Sequence, residues 1–127
     1  MRKVWWIGLA LLIGCSAKPQ PDVIGQITSA TKIGCAVIQG DNARQQTSLI
    51  VTDLKRLIDS GEDDELRARI ESPINVASMG LYWTIAWEVI HTFSAVYTTQ
   101  EWYDNTLAMY KASVIGCYEG LQLTTIT

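Results

Sequence analysis

Residues 98–121, TTQEWYDNTLAMYKASVIGCYEGL, decide what kind of fold this chain has. Thr98 and Glu101 stand three apart at the head of the run. That is the T-x-x-E spacing in which a hydroxyl and a carboxylate each satisfy an unpaired backbone N–H at a helix start. Behind them Tyr103, Leu107, Tyr110, Val114, Cys117 and Leu121 recur in steps of four and three, the period that lines one face of an α-helix. The expectation is a long amphipathic helix with Cys117 on its buried stripe.

The same period runs upstream. Val23, Ile24, Ile27, Thr31, Cys35 and Ile38 form one stripe, with Asp22 placed to cap it. QGDNA (39–43) reads as a break. A second helix then carries Ile50, Leu54, Leu57 and Ile58 on one face and stops at DSG (59–61). EDDELRARIE (62–71) opens acidic and ends near basic residues, a polarity that suits the helix macrodipole. Pro73 punctuates. Residues 74–97, INVASMGLYWTIAWEVIHTFSAVY, are apolar on nearly every face, as in the central helix of a bundle or a segment in lipid. Strand signals are scarce. The expected fold is all-α: a small bundle of four main helices plus one short helix, occupying residues 23–127.

The amino end has a different character. Arg2 and Lys3 precede ten residues without charge, VWWIGLALLI, and then Gly14 and Cys15. A cationic start, a short apolar core and a small residue at the cut are the parts of an export signal. The apolar run falls short of the roughly 20 residues of a bilayer span. Leu12-Ile13-Gly14-Cys15 matches all four positions of the lipobox and resembles that of bacterial lipoproteins, phage- or plasmid-encoded ones included. The resemblance covers the first 16 residues. It implies a signal peptide over 1–14, removal of that peptide, and acylation of Cys15, which anchors the protein in a membrane. Multiple acyl chains hold firmly where one holds only marginally. Residues 15–22 are then a lipidated cysteine and a proline-containing tether. Ser16, rather than aspartate, follows the cysteine, and the resemblance then implies the outer membrane, with the domain facing the periplasm.

About 113 residues would remain after cleavage, enough for one domain with a core. Without Arg2 and Lys3, eight basic residues face thirteen acidic ones, a net charge of roughly −5. That disfavours nucleic acid, whose phosphates need clustered Lys and Arg. If Cys15 carries lipid, two thiols remain, Cys35 and Cys117, each on the buried stripe of a helix. An oxidising periplasm permits a bridge between them. The alternative is a pair of buried free thiols.

Candidate chemistry is sparse. Glu88 and His91 share a helix face in the E-x-x-H spacing that di-iron bundles use twice, yet His91 is the one histidine of the chain. They read as a hydrogen-bonded polar pair within a packed helix. Asp59 to Ile70 has Asp64 where a calcium loop needs glycine and Ile70 where it needs glutamate. No serine lies in a nucleophile-elbow sequence. The expectation is therefore no catalytic residues, no metal, no cofactor and no small-molecule substrate. Trp83, Trp87 and Trp102 are the candidate partner-binding residues, since aromatic side chains that stay exposed mark contact surfaces.

The functional expectation is a lipid-anchored, non-enzymatic accessory module that contacts a protein partner in the envelope. It resembles helical pilotins and exclusion lipoproteins in size, anchor and helicity alone. The alternative is a membrane-active or virion-associated phage protein, serving lysis or DNA ejection, in which residues 74–97 enter lipid. Glu88 would then sit mid-span at a cost of roughly 3 kcal/mol.

Overall fold

The computed structural model describes residues 22–126, and side chains as far as Gln122. The signal-like segment, Cys15 and all of the tether but Asp22 lie outside the described residues. Six helices follow one another: α1 (Val23–Ala36), α2 (Asp41–Asp59), α3 (Asp63–Glu71), α4 (Pro73–Ser78), α5 (Gly80–Phe93) and α6 (Thr99–Ile126). Among the described residues there is no strand. The helical-bundle expectation is met, with six helices in place of five.

Two helix ends show their local cause directly. Glu101 accepts the Thr98 N–H at 2.9 Å, and Thr98 Oγ1 accepts the Glu101 N–H at 3.1 Å, so the capping box forms in both directions. Hydrogen bonding from Thr98, its backbone N–H more than its hydroxyl, holds the Glu101 carboxyl below its usual range. At the end of α2, Gly61 takes a φ of 72°. Its N–H reaches the Ile58 carbonyl at 3.1 Å, and the Glu62 N–H reaches Leu57 at 2.9 Å. That pair of bonds is a Schellman motif, which needs a left-handed residue and so favours glycine. Asp22 departs from expectation. It makes no side-chain cap; its backbone carbonyl receives the Gln26 N–H instead, at 2.9 Å.

The segment 74–97 is not one central helix. It divides at Met79–Gly80, where Gly80 has a φ of 50°. A six-residue helix, started by Pro73, precedes the break, and fourteen residues follow it. Only Tyr82, Ala86 and Ile90 of α5 are buried, so one stripe faces the core while Leu81 and Trp87 stand in solvent. Hydrophobicity on every face signals surface here as much as centre. No helix among the described residues is long and apolar enough to cross a membrane.

The centre is the pair α1 and α6, the first and last helices, which pack most extensively against each other. Gly116 and Gly120 of α6 make this possible. A Cβ at Gly116 would collide with the Thr28 carbonyl oxygen and lie 3.2 Å from the Lys32 nitrogen. One at Gly120 would collide with the Lys32 carbonyl oxygen and lie 3.2 Å from the Ala36 nitrogen. Four residues along α6 match four along α1 in the same sense, so the two helices run parallel and touch backbone to backbone. Cys35 and Cys117, with no exposed surface, are joined there as a disulfide with Cα atoms 5.2 Å apart. Arg44, from the first turn of α2, donates to the Ile38 and Leu121 carbonyls, both at 3.2 Å, and ties the far ends of both helices to a third.

Around this pair, Ile27, Val51, Leu54, Leu57, Leu66 and Met109 close the core. Asp53 on α2 is held below its usual range by hydrogen bonds from Arg56, at 2.8 Å, and from Arg69 of α3, at 2.6 Å. The main buried polar contact joins α5 to α6. Ser113 Oγ donates to the Tyr110 carbonyl at 2.8 Å, so the Tyr82 hydroxyl donates to Ser113 Oγ at 2.6 Å. Burial raises the Tyr82 phenol, and the Ser113 bond only partly opposes that. Tyr82→Phe is expected to cost about 1 kcal/mol, the net worth of one buried hydrogen bond. The folded protein binds the phenolic proton more tightly than the unfolded chain. Stability is therefore fully present below the unfolded value of 10.0 and falls as pH rises past it. Urea midpoints of wild type and Tyr82→Phe between pH 8 and 11 would show the variant losing less; parallel declines would mean the phenol is not buried.

Candidate functional site

On the outer side of α5 and α6 the aromatic residues gather into one groove. Trp83 and Trp87 from α5 and Trp102, Tyr103 and Tyr110 from α6 line it, with Arg67, Ile70 and Glu71 of α3 along one rim. Its volume is about 360 Å³. The floor is the Trp83–Tyr110 pair, stacked with centroids 5.4 Å apart and planes within 3°. Burial raises the Tyr110 phenol, consistent with a floor position. Trp87 packs on Trp83 at 5.4 Å and reaches solvent with 45% of its surface. Tyr103 is 68% exposed at the open side. On the rim Arg67 and Glu71 face each other at 3.6 Å, an i,i+4 pair that leaves both groups solvated.

The three tryptophans singled out from sequence thus come together, although they lie on two helices. Helical spacing explains why: Trp83 and Trp87 are four apart on one face of α5, and the short link to α6 folds Trp102 back against them. Tyr103 contradicts the sequence reading. Periodicity puts it on the buried stripe of the last helix, but that stripe is half-buried at Leu107 and fully buried only from Tyr110. Steps of four and three describe a face, but not where along a long helix a neighbour starts to cover it. Tyr103, Tyr110, Arg67 and Glu71 are not legible as groove residues, since nothing in the chain signals that the end of α3 comes to the rim of the α5–α6 groove.

Glu88 and His91 are also corrected. Both are exposed, and no hydrogen bond joins them among the described residues. The imidazole sits instead between two indoles, 3.8 Å from the Trp87 ring centroid and 4.8 Å from that of Trp102. His91 therefore extends the aromatic row rather than forming a polar pair. Among the described residues no three His, Cys, Asp or Glu side chains gather as a metal site.

Ring faces dominate this groove, and its indole and phenol groups supply scattered donors. Such a surface is suited to desolvation of rings and to stacking, and among the described residues no nucleophile in it is hydrogen-bonded to a base. No family model, curated protein or solved structure matches this chain.

Proposed function

We propose that this chain is a lipid-anchored, non-enzymatic accessory module that works by protein contact at the periplasmic face of the outer membrane. Leu12-Ile13-Gly14-Cys15 supports the address, and a Cys35–Cys117 bridge suits an oxidising compartment. The observation that carries the activity is the groove, with Trp87 and Tyr103 exposed beside two further tryptophans. Large aromatic side chains clustered around a small pocket are where binding energy concentrates in protein interfaces. Its size suits a few side chains of a partner. The sole imidazole is held between two indoles, with no hydroxyl or thiol hydrogen-bonded to it among the described residues.

Two variants test the two halves of this reading. Cys15→Ala should move the protein from the outer-membrane fraction to the soluble periplasm and remove the acyl mass. Persistence in the membrane would end the anchor proposal. Trp87→Ala with Tyr103→Ala should leave the disulfide and helicity intact yet weaken partner capture at least tenfold, or about 1.4 kcal/mol. Undiminished capture would move the contact surface elsewhere.

A further inference from the structure

The parallel packing of α1 and α6 fixes which end of the domain faces its anchor. Gly116 lies against Thr28 and Lys32, and Gly120 against Lys32 and Ala36, so the amino ends of both helices lie at one end of the molecule. The link 94–98, which carries α5 into α6, lies there too. Between Thr99 and Ala108 no residue is buried, whereas burial begins at Met109, near the start of α1. At 1.5 Å per residue those ten residues carry the corner roughly 15 Å beyond that level.

The chemistry of this corner is unusual for an acidic protein. Val96 is 62% exposed, and Phe93, Tyr97 and Trp102, within six residues of it in sequence, are half-buried. From Thr92 to Gln100 no residue carries a charge. The Glu101 carboxylate is turned back onto the Thr98 N–H, and Asp104 accepts from Gln100 Nε2 at 3.0 Å. An uncharged turn bearing Phe93, Val96 and Tyr97, with Trp102 in the first turn of the helix that follows, carries the tyrosine and tryptophan enriched at the boundary between lipid and water.

We infer that the α5–α6 corner rests on the headgroup layer of the bilayer that holds the anchor, through Val96, Tyr97 and neighbouring rings. The inference depends on acylation of Cys15 as proposed above. Reach makes the contact hard to avoid. Cys15 and Asp22 are seven residues apart, at most about 25 Å of chain. That chain leaves from the same end as the corner, which itself projects roughly 15 Å. With α6 standing along the membrane normal, the gap left between corner and lipid is then at most about 10 Å. The surface is a lipid one rather than a polyanionic one, because no lysine or arginine lies between Thr92 and Ala108.

Two exposed apolar positions allow a test within one anchored molecule. Val96→Trp reports the corner. Leu49→Trp, similarly exposed on α2 and lining a pocket with Leu121 at the opposite end of α6, reports the far side. Each full-length variant is processed in cells, its acylation checked by intact mass, and floated with vesicles of phosphatidylethanolamine and a minor fraction of phosphatidylglycerol. The emission added by each new indole is read as the difference from wild type. Phospholipid brominated near the headgroup should quench about half of the emission that Val96→Trp adds and leave unchanged the emission that Leu49→Trp adds. Acylated, floating protein with equal quenching at both positions would overturn the contact and leave the anchor standing. Protein without the acyl mass would overturn both.

Discussion

Gly120→Ala is expected to lower the stability of the domain by about 2 kcal/mol, and Gly116→Ala by a similar amount, when urea midpoints are compared with wild type. The sign is the point, because two effects oppose each other. In an ordinary helix interior alanine is better than glycine by about 1 kcal/mol. Here the added methyl meets the backbone of α1, at the Lys32 carbonyl for Gly120 and the Thr28 carbonyl for Gly116. A backbone carbonyl inside a helix cannot turn aside as a side chain does, so the helices must separate, and overpacking of that kind costs about 1–3 kcal/mol or more. Gly25→Ala is the control. Its Cβ would approach only the Asp22 carboxylate, a flexible side-chain end, at 3.2 Å. That variant should be neutral or slightly stabilising. A rise in midpoint for Gly120→Ala would mean that α1 and α6 do not meet there.

Loss of the disulfide has the second large effect. The bridged cysteines are 82 residues apart, and closing a loop of that length removes roughly 4 to 5 kcal/mol of unfolded-state entropy. That is a large part of the about 5–15 kcal/mol by which domains are stable. Cys35→Ala with Cys117→Ala should therefore fall by about that amount in urea, while far-UV helicity at low temperature stays near wild type. Since both sulfurs are fully buried, reductant acts on the native protein only through opening, and reduction should accelerate with urea well below the midpoint. The glycine and cysteine changes share one interface, so their costs should not add. A double-mutant cycle that summed cleanly would mean that the two features hold the helices independently.

The sequence is most informative where a local rule and a tertiary demand coincide. Thr98 and Glu101 form the expected box, and the stripes of α1 and α2 bury Ile27, Cys35, Leu54 and Leu57, while Ile50 and Ile58 are only partly buried. Cys35 and Cys117 pair as their faces suggest. It is least informative where one residue answers to a distant neighbour. Gly80 splits an apolar run that periodicity reads as one helix, because its positive φ is invisible in a hydrophobicity pattern. Gly116 and Gly120 are spaced four apart behind Ala112, the small-residue spacing that lets helices approach closely, and that is the available signal for the α1–α6 contact. At the groove, three tryptophans are visible as candidates. His91 is misplaced because a lone polar residue in an apolar run suggests burial, whereas ring stacking holds it at the surface.

The side-by-side arrangement of the first and last helices also has a cost in time. Most helical domains of this size assemble from neighbours in sequence and fold within microseconds to milliseconds. Here the tightest contact joins Thr28 to Gly116 and Lys32 to Gly120, so a loop of about 88 residues must close before the most stabilising contact forms. Once oxidised, the chain begins each refolding attempt as a closed ring. Refolding of the reduced protein in a rapid-mixing experiment should lag accordingly, at a pace more familiar from β-barrels.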